Sequence, residues 1–540
     1  MIDVWLPSSK SVSLRALVLN FLNGEKTDIR NMSECDDVRF LKNALSSFFI
    51  SKEEEFFVGD GGAPARFLAV LSLVAKDPFV IRGTERFHQR PMKDLFYVLR
   101  SLGVKIECLD KKDFLPARFQ FSNLASRPKK LPTEVKLSGK VSSQFLSGLL
   151  LVAPSLPNGL NIQLIDDLVS RPYVQMTLQM LRMWGADVRV SPDFRTFTII
   201  PGFSPPAEFV VPSDMTAVSY PIVYSMLSRQ SIMIHKREKE TLQGDERILE
   251  IIRQCGAQVR IDHDQIKIIP PKQFKLPKIL DMSDTPDLFP SVAVLASFAE
   301  RTSCFEGVGH LQWKESDRIH ALQENLEKLG IEMKYNDGCA QIGENSQWNK
   351  KNVHDKKINS FQDHRIAMIF GVLNKVFDLD LDISHPECVS KSWPGFWLDL
   401  ASWAGELRDV AAVIVCHKGK YLVVKKPRKD YAWQFPQGGV ETEETFLQAV
   451  KRELQEECGK NLDVDFGRNI LGQYKYFFPT DFHRHEKKIR GAHVRFFRAE
   501  FVQGRVEINP KELEDFAWVE KEKLSEYFAP EYWKVVQQWV

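Results

Sequence analysis

The sequence lacks the clustered cysteines that would indicate a zinc site or a disulfide framework. Its eight cysteines are scattered singly through 540 residues, with no C-x-x-C pair and no cluster of cysteine and histidine. This pattern is typical of a cytosolic protein whose thiols stay reduced. We therefore expect free cysteines, buried or at the surface, with no metal bound to them.

Long apolar runs and an excess of charge of either sign are also missing. No apolar run reaches the roughly 18 residues that a membrane-spanning helix needs. The opening MIDVWLPSSKS has no basic region followed by an apolar one, as a secretory signal would. Lys and Arg number 73 against 71 Asp and Glu, which argues against nucleic-acid binding through bulk charge but allows local basic pockets. We expect a cytoplasmic protein.

What the sequence does contain is a pattern that recurs before residue 340: an amphipathic helix, a glycine, and a short strand of alternating polarity. The glycines are Gly103, Gly185, Gly256 and Gly330, each placed where a helix would end in a left-handed cap. They lie roughly 70 to 80 residues apart, more than the 20 to 50 residues of a solenoid repeat. The spacing indicates a unit of two helices and several strands, used repeatedly in one α/β (α+β) body over residues 1–404.

A change of pattern near residues 405–409 indicates a second domain. The stretch FWLDLASWAGELRD (Phe396–Asp409) ends a helix, and VAAVIVCHKGKYLVVKK then reads as two strands around a turn at Lys418–Gly419. Residues 405–540 are enough for one small α/β domain. The sequence therefore predicts two bodies, 1–404 and 405–540, without a low-complexity linker.

Eight short segments of the first body are rich in Lys, Arg, Ser and Gly where strands meet helices. Helix N-termini with free N–H groups, together with Arg and Lys side chains, hold phosphates and carboxylates. One such segment is usually just a helix cap, but eight favour a large pocket for an anionic substrate. The segments contain Lys10, Ser11, Ser13 and Arg15; Gly61, Gly62 and Arg66; Arg90; Ser142, Ser143 and Gln144; Ser170 and Tyr173; Lys314, Glu315 and Arg318; Asp363, His364 and Arg365; and Lys391.

Taken in order, the motifs SKSVSLRA, VSSQFL, LVSRPY, KESDR, QDHRIAM and SKSWP closely resemble the 5-enolpyruvylshikimate-3-phosphate (EPSP) synthase family, the 3-phosphoshikimate 1-carboxyvinyltransferases. The resemblance covers nearly all of residues 1–404. It implies six βαβαββ units in two lobes, one of about residues 10–213 and one of about residues 1–9 plus 214–404. These would close over shikimate-3-phosphate and phosphoenolpyruvate, in the pathway to chorismate and the aromatic amino acids.

The resemblance also implies roles for individual residues, and the chemistry explains their types. The 5-hydroxyl must lose a proton, the methylene carbon must gain one, and phosphate must leave, which calls for two carboxyl groups and a cationic cage but no metal. Asp287 and Glu315 correspond to the acid/base pair, with Lys10 also catalytic. The shikimate-3-phosphate contacts correspond to Lys10, Ser11, Arg15, Ser142, Ser143, Gln144, Ser170 and Tyr173. The phosphoenolpyruvate clamp corresponds to Arg66, Arg90, Arg318, Arg365 and Lys391, and Gly62, Asp287, His310, Lys314 and His364 complete the substrate-binding set.

Several positions depart from the family pattern. In the loop GDGGAPAR, Asp60 brings a negative charge to an anion site, Ala63 lacks a hydroxyl and Pro64 lacks an N–H donor. His310 replaces an asparagine, and the chain between Ser47 and Phe56 is about twenty residues shorter than the resemblance suggests. Two alternatives therefore stay open. The body could perform a related carboxyvinyl transfer, with the amino-sugar enzyme of cell-wall synthesis as the nearest rival, or it could be a scaffold without activity.

The second body contains the pattern G-x5-E-x7-R-E-U-x-E-E-x-G, where U is apolar. The matching residues are Gly438, Glu444, Arg452, Glu453, Leu454, Glu456, Glu457 and Gly459. At about 100° per residue, the last three glutamates fall on one helix face. Clustered carboxylates repel one another unless a cation such as Mg²⁺ or Mn²⁺ joins them. A solvated acidic helix is the alternative reading.

This pattern is the Nudix box, and it is similar to that of hydrolases which attack a diphosphate linked to another group. The resemblance implies an α/β/α sandwich, with Glu453, Glu456, Glu457 and Glu512 as ligands of Mg²⁺ or Mn²⁺ and Glu457 as a catalytic group. The stretch WQFPQGG (Trp433–Gly439) resembles the branch that acts on RNA 5′ ends and dinucleoside polyphosphates. The basic segment His483–Arg490 would then contact a nucleotide or an RNA 5′ end, or form a plain surface loop. The whole chain is predicted to be a bifunctional fusion, unless its Nudix domain only binds a nucleotide or RNA as a regulatory module.

Overall fold

A computed structural model of the protein describes residues 1–48, 54–121, 133–236, 242–343, 348–427, 432–441, 444–478 and 488–540. The chain forms two units, Met1–Phe396 and Trp397–Val540. The division falls at the start of a helix, eight residues before the boundary predicted from the sequence. No helix among the described residues is long and apolar enough to cross a membrane.

Many of the helices begin at a side chain that caps their free N–H groups. The Ser9 hydroxyl accepts from the N–H of Val12, and the Asp317 and Asp363 carboxylates cap two later helices in the same way. The helices are α1 (Lys10–Leu22), α2 (Asp36–Ser47), α3 (Gly62–Leu71), α4 (Lys93–Ser101), α5 (Ser143–Val152), α6 (Arg171–Met183), α7 (Ser219–Ser228), α8 (Arg247–Gln254), α9 (Phe289–Ala296), α10 (Arg318–Lys328), α11 (His364–Phe377), α12 (Phe396–Trp403), α13 (Phe446–Cys458), α14 (Leu524–Tyr527) and α15 (Pro530–Val536).

The strands of the first unit are short and alternate buried with exposed residues. They are β1 (Ile2–Trp5), β2 (Asp28–Arg30), β3 (Glu55–Phe57), β4 (Phe79–Arg82), β5 (Val104–Cys108), β6 (Ala117–Phe121), β7 (Glu134–Leu137), β8 (Leu160–Leu164), β9 (Val188–Val190), β10 (Thr196–Ile199), β11 (Glu208–Val210), β12 (Ile232–His235), β13 (Gln258–Ile261), β14 (Gln265–Ile269), β15 (Ile279–Asp281), β16 (Ser303–Glu306), β17 (Met333–Asn336), β18 (Cys339–Ile342), β19 (Lys357–Ile358) and β20 (Asp382–Ile383).

Four sheets of this unit repeat one arrangement. Their strand orders are β3-β4-β6-β5, β7-β8-β10-β9, β15-β16-β18-β17 and β1-β12-β14-β13. In each sheet the first two strands are parallel, and the last two form a hairpin that runs antiparallel to the second strand. A parallel pair needs a crossover helix. Three of the sheets are each one continuous βαβαββ unit, whereas the fourth joins β1 from the start of the chain to β12, β13 and β14. The pairs β11–β2 and β19–β20 are also parallel but extend no further among the described residues.

The chain passes twice between two lobes of the first unit. Strand β1 pairs with β12, so the first residues belong to the second lobe, whereas α1 packs within the first lobe. The two crossings lie side by side, because the Ser9 N–H donates to the Pro212 carbonyl and the Asp214 N–H donates to the Pro7 carbonyl. The start of α1 therefore lies where the lobes meet. Residues 49–53, on which the predicted shortening of the first repeat falls, lie outside the described residues.

The four glycines predicted to cap helices all have left-handed backbone conformations. Their φ angles are +94° at Gly103, +71° at Gly185, +93° at Gly256 and +73° at Gly330. They follow α4, α6, α8 and α10 by two residues each, so this prediction is confirmed. Glycine is required here because other L residues are strained in this region.

The second unit is one mixed sheet covered by helices on both faces. Its strands are β21 (Leu407–His417), β22 (Lys420–Lys425), β23 (Trp433–Gln434), β24 (Gln437–Gly439), β25 (Leu462–Phe477), β26 (Gly491–Gly504) and β27 (Asp515–Glu520). The sheet order is β23-β22-β21-β26-β25, with β24 on β21 and β27 on β22. Val450, Leu454 and Cys458 of α13 pack on one face, and Leu524 and Val536 from α14 and α15 pack on the other. The predicted sandwich is confirmed.

The expectation of free thiols is wrong for one pair of cysteines. Cys304 on β16 and Cys339 on the neighbouring strand β18 form a disulfide, with their Cα atoms 5.7 Å apart. Adjacent antiparallel strands bring side chains 35 positions apart in sequence into contact, which spacing along the chain does not reveal. The other six cysteines are free.

The glycine caps yield a stability prediction with an internal control. A Cβ at Gly103 would have only the Phe121 ring at 3.9 Å, whereas a Cβ at Gly185 would lie 2.6 Å from the Ser204 Cβ and 2.8 Å from its carbonyl oxygen. Gly103→Ala should therefore cost about 1 kcal/mol of unfolding free energy through strain alone. Gly185→Ala should cost about 1–3 kcal/mol more, because the helix end must shift. Guanidinium unfolding of both variants checks this, and equal losses would contradict it.

Candidate active sites

The N-termini of several helices in the first unit surround one cavity between the lobes. The cavity measures about 60 Å³. Its lining residues are Lys10, Ser11, Leu14, Arg15, Asp37, Gly62, Ala63, Arg90, Val141, Ser142, Ser143, Gln144, Val169, Ser170, Tyr173, Asp287, His310, Lys314, Glu315 and Arg365. Of the residues predicted to bind substrate, Arg66, Arg318, His364 and Lys391 are not part of this lining, but Arg66 contacts Gln144, Arg318 contacts Asp287 and Lys391 lies near Glu315. The structure thus brings the predicted residues of this body together.

The Arg318 guanidinium joins three carboxylates at the centre of the site. It is buried as the first residue of α10. Its Nη1 donates to Asp287 at 2.8 Å, its Nη2 donates to Glu315 at 2.9 Å, and its Nε donates to Asp363 at 2.9 Å. Burial opposes the charged form, but the three carboxylates outweigh it and raise the pKa of Arg318. Because one planar group holds both Asp287 and Glu315, it fixes the spacing of the predicted acid/base pair.

Both carboxylates of this pair are stabilised as anions by further cations. Burial favours the neutral form of Asp287, but Arg365, Lys314 and Arg318 outweigh it and hold the pKa of that carboxyl well below its usual range. The Arg365 Nη2 donates to Asp287 at 2.7 Å, and the Lys314 Nζ lies 3.9 Å away.

Glu315 lies near two other cations, Lys391 and Arg90. Its Oε1 lies 3.7 Å from the Lys391 Nζ and 3.8 Å from the Arg90 Nη1. Burial favours the neutral form, but Lys391, Arg90 and Arg318 hold the pKa of Glu315 well below its usual range. Lys391 also donates to the Asp60 carbonyl at 2.6 Å.

The two cations on α1 differ in the charge of their partners. The Lys10 Nζ lies 3.1 Å from an Asp37 carboxylate oxygen. Burial lowers the pKa of Lys10, but Asp37 and other anionic groups outweigh it and raise that pKa overall. Arg15 instead donates to neutral oxygens, the Thr177 hydroxyl at 2.8 Å and the Ser11 carbonyl at 2.8 Å. Burial lowers the pKa of Arg15 to about 10, which leaves it charged at neutral pH. Because its partners are neutral oxygens, this charge remains available to an anionic ligand.

The loop before α3 presents backbone and arginine groups to the cavity. A Cβ at Gly62 would lie 2.8 Å from the Arg66 Nη1 and 2.9 Å from the Arg90 Nη2, so the absence of a side chain leaves room for both guanidinium groups. Arg66 donates to the Gln144 side chain. The Asp60 carboxylate accepts a hydrogen bond from the Thr84 hydroxyl, while the Asp60 carbonyl accepts from Arg90 at 3.1 Å.

Serines and a tyrosine cover another side of the cavity. Ser142 caps α5 by accepting from the Gln144 N–H. Ser170, at the N-cap of α6, is buried with φ +56°, and such strain in a residue other than glycine is frequent at binding sites. The Tyr173 hydroxyl lies 3.1 Å from Asp287 and 2.9 Å from Asp245.

Two histidines, the buried His364 and the partly buried His310, stay neutral beside these cations. Burial, reinforced by Lys314, lowers the pKa of His310 to about 4. Burial, with Lys10 and Arg365 close by, lowers the pKa of His364 well below its usual range. Neither ring nitrogen of His364 has a hydrogen-bond partner among the described residues. Both rings can therefore act as neutral hydrogen-bonding groups.

Three residues of this site escape sequence reasoning. Asp37 pairs with Lys10, and the only local signal is its place in the first turn of α2. Arg86 extends from the first lobe to the Glu315 carbonyl, with an Nε–O distance of 3.0 Å, and to the Lys314 carbonyl at 3.5 Å. Asp245 contacts Tyr173. The partners are 27 to 229 positions away in sequence, so no local pattern identifies them.

A second candidate site lies on α13 of the second unit. Glu453, Glu457 and Glu512 each offer an oxygen within 4.8 Å of the others. Glu457 is fully buried, and its carboxylate contacts the Lys426 Nζ and accepts from the Gln437 N–H at 3.1 Å. Burial raises the pKa of Glu457 to about 7 even with Lys426 beside it. An oxygen-only cluster with one fully buried carboxylate and two partly buried ones fits a hard divalent cation such as Mg²⁺ or Mn²⁺.

Arg452 organises the loop in front of this cluster. Its Nε donates to Glu444 at 3.0 Å, its Nη2 donates to the Gly439 carbonyl at 2.8 Å, and its Nη1 donates to Glu453 at 2.9 Å and Glu456 at 3.0 Å. Glu456, predicted as a ligand, is therefore held by Arg452 and lies outside the cluster of three. The predicted nucleotide contact His483–Arg490 lies outside the described residues except for 488–490.

Comparison with known proteins relates both sites to families. The sequence model of EPSP synthase (3-phosphoshikimate 1-carboxyvinyltransferase) matches residues 2–400, and that of the NUDIX domain matches residues 406–539. The 3-phosphoshikimate 1-carboxyvinyltransferase of Bacteroides fragilis is 32% identical over 404 residues, which cover 74% of this chain and 94% of that protein. The protein of that name from Vibrio vulnificus is 29% identical over 425 residues, covering 74% of this chain and 96% of that protein.

Solved structures show the same fold for the first unit. EPSP synthase from Acinetobacter baumannii matches with a TM-score of 0.55 at 21% identity, over 75% of this chain and 96% of that one. The enolpyruvyl transferase NikO from Streptomyces tendae matches with a TM-score of 0.53 at 14% identity, over 74% of this chain and 94% of that one. The chain belongs to the EPSP synthase (3-phosphoshikimate 1-carboxyvinyltransferase) family through residues 2–400, and it carries a Nudix domain at residues 406–539.

Proposed function

We propose that the first unit transfers the enolpyruvyl group of phosphoenolpyruvate to the 5-hydroxyl of shikimate-3-phosphate and releases phosphate. The observation that carries this proposal is the pair of ionised carboxylates, Asp287 and Glu315, held on one guanidinium inside a cage of Arg and Lys side chains. Addition across the enol double bond needs one group that takes a proton and one that gives a proton. The leaving phosphate needs fixed positive charge.

The surroundings of the two carboxylates assign their sides of the reaction. Asp287 contacts Tyr173, next to the serines of the acceptor side, so we assign it removal of the hydroxyl proton. Glu315 lies with Arg90 and Lys391, the cations proposed to hold phosphoenolpyruvate, so we assign it proton exchange at the methylene carbon. Lys10 and Arg15 supply charge to the phosphate groups from the N-terminus of α1.

The size of the cavity indicates that substrates must exchange with internal ion pairs. Small-molecule sites usually measure about 300–1,000 Å³, whereas this cavity measures about 60 Å³. The cations that face it already contact Asp37, Asp287 and Glu315. Binding of anionic substrates would therefore transfer these cations from protein carboxylates to phosphate and carboxylate groups of the ligands.

The transferase is tested by phosphate release from phosphoenolpyruvate with and without shikimate-3-phosphate, without added metal. We expect release that needs both substrates, and a loss of about 10²-fold or more in kcat for Glu315→Gln, because the proton-transfer group is removed. Lys10→Ala should also abolish release. Glu324→Gln is the matched control, because that glutamate pairs with Lys328 on the surface of α10.

Two outcomes would contradict the transferase proposal. Release without shikimate-3-phosphate would mean that water or another acceptor is used. No release by the unmodified protein would mean that Asp60, Ala63 and Pro64 have changed the site.

Arg86 generates a second prediction, because it fixes the backbone of Lys314 and Glu315 from the other lobe. Arg86→Gln should lower kcat by about 10- to 100-fold through misplacement of the Glu315 carboxylate. The Kd for shikimate-3-phosphate should stay nearly constant. Arg100→Gln, which removes an exposed arginine paired with Asp113, is the control. A change in Kd with kcat preserved would contradict this role.

We further propose that the Nudix domain hydrolyses a nucleotide or RNA 5′ end that contains a diphosphate. Glu453, Glu457 and Glu512 would hold the divalent cation, with Glu456 joining them only by leaving Arg452. The bound cation would neutralise the diphosphate and activate water. Lys426 contacts Glu457 and is placed to bind a phosphate once the cation takes its partner.

The hydrolase is tested with Mg²⁺ or Mn²⁺ and a series of nucleoside diphosphate derivatives and 5′-triphosphorylated RNA. Glu457→Gln and Glu512→Gln should each lower kcat by about 10²-fold or more. Glu514→Gln is the matched control, two residues along the same segment, because Glu514 pairs with Lys425 instead of joining the cluster. Tight ligand binding without turnover in the unmodified protein would favour a regulatory binding module instead.

A further inference from the structure

Behind the cavity, four side chains form a hydrogen-bonded row that ends on Asp287. The Tyr173 hydroxyl lies 3.1 Å from the Asp287 Oδ2 and 2.9 Å from the Asp245 Oδ2. The Thr216 hydroxyl donates to the same Asp245 oxygen at 2.6 Å. Asp245 lies in the turn before α8, is buried, and leaves its Oδ1 without a hydrogen-bond partner among the described residues.

The number of protons in this row is smaller than the number of acceptors. A tyrosine hydroxyl carries one proton, yet Tyr173 lies within hydrogen-bonding distance of two carboxylates. When both carboxylates are ionised, one contact has no proton. When one proton is added, both contacts are satisfied, with the acid donating to the hydroxyl and the hydroxyl donating to the remaining carboxylate. The row is therefore built to hold one additional proton.

The two ends of the row differ in the charges around them. Asp287 accepts from Arg318 and Arg365 and lies near Lys314. Asp245 is flanked by Asp287, by Tyr173, and by the neutral side chains of Thr216 and Gln243, and forms no ion pair among the described residues. The Arg365 charge favours the ionised form of Asp245, whereas Asp214 adds a further negative charge behind Gln243. When the row holds an additional proton, that proton therefore resides on Asp245.

Resting on the proposed transferase activity, we propose that Asp245 is the terminal acceptor of the proton that Asp287 takes from the acceptor hydroxyl. Asp287 gains the hydroxyl proton, then passes it to the Tyr173 oxygen, while the Tyr173 proton moves to Asp245. The net change is loss of a proton from the substrate hydroxyl and conversion of Asp245 from carboxylate to acid. Asp287 and Tyr173 end as they began, and no other reactant is needed.

This arrangement explains how a carboxylate with a strongly depressed pKa can serve as a base. Burial, with the Asp287 charge nearby, raises the pKa of Asp245 to about 6, whereas the cations hold that of Asp287 well below its usual range. The proton thus moves toward the group that holds it more strongly. Asp245 touches no substrate-facing space, so it is a positioning residue that acts through Tyr173.

The pH dependence of kcat tests the proposal on the full chain with both substrates. In the unmodified protein Asp245 must be ionised to accept, so kcat should rise with pH along an acidic limb with an apparent pKa near 6. Asp245→Asn cannot accept a proton. It should lower kcat about 10-fold or more and remove that limb, while calorimetry gives an unchanged Kd for shikimate-3-phosphate.

A double-mutant comparison separates this role from a merely structural one. Tyr173→Phe breaks the row, so adding Asp245→Asn to it should lower kcat no further. Independent, multiplicative losses would overturn the proposal, as would an Asp245→Asn protein that keeps both the kcat and the acidic limb of the unmodified one.

A milder change covers the case in which Asp245→Asn does not fold. Thr216→Val removes the hydrogen bond that stabilises the Asp245 carboxylate, so the acidic limb should move to higher pH. A limb that stays in place would overturn the proposal. If the unmodified protein shows no transfer to shikimate-3-phosphate, the proposed activity itself is wrong. If it transfers but its pH profile does not change when Asp245 is replaced, only the role of Asp245 is wrong.

Discussion

The Arg318 guanidinium is the interaction on which the first site depends. A buried cation is stable only when opposite charges surround it with good geometry, and Arg318 receives a carboxylate at each of its three donor positions. Those carboxylates begin far apart in sequence, and each is placed by the start of a helix: Asp287 two residues before α9, Glu315 three residues before α10, and Asp363 as the N-cap of α11. Because the Arg318 side chain binds carboxylates at the starts of three helices, it fixes the distance between the two proposed proton-transfer groups. Without it, these three carboxylates, of which Asp363 is fully buried, would repel one another.

The remaining charges follow from the same constraint. Anionic substrates need cations, but cations in a buried cleft need anions before the substrates arrive. Lys10, Arg90, Lys391 and Arg365 are therefore held by Asp37, Glu315 and Asp287. Arg15 and Arg66 are exceptions, because they donate to neutral oxygens and burial lowers their pKa values. In the second unit the signs are exchanged: the buried Glu457 carboxylate is paired with Lys426 and could bind a metal cation in its place.

The parts of the fold and site that can be predicted from sequence are those with a local physical signature. Gly103 and Gly185 mark helix ends, because the backbone there adopts a left-handed conformation that favours glycine. Lys10, Ser142 and Arg318 are found because they lie at helix starts, where free N–H groups and charged side chains coincide. Asp245 and Arg86 carry no such signature, since each acts on a group from a distant segment. The disulfide Cys304–Cys339 cannot be predicted from the sequence for the same reason, because it depends on the register of two strands.

The departures in the loop from Gly59 to Arg66 are compatible with an anion site, because the contacts to its cations come mainly from backbone atoms of the loop. Asp60 directs its carboxylate to Thr84, and its carbonyl accepts from Arg90 and Lys391, so the side chain at this position affects the clamp mainly through long-range charge. Pro64 is the third residue of α3, where the N–H has no partner within the helix, so its absence breaks no helical bond and removes only one donor. A Cβ at Gly62 would lie under 3 Å from the guanidinium groups of Arg66 and Arg90, so a side chain there would displace these two cations. The loop thus retains the backbone and arginine contacts and loses a hydroxyl and an N–H, which weakens one face of the anion site without dismantling it.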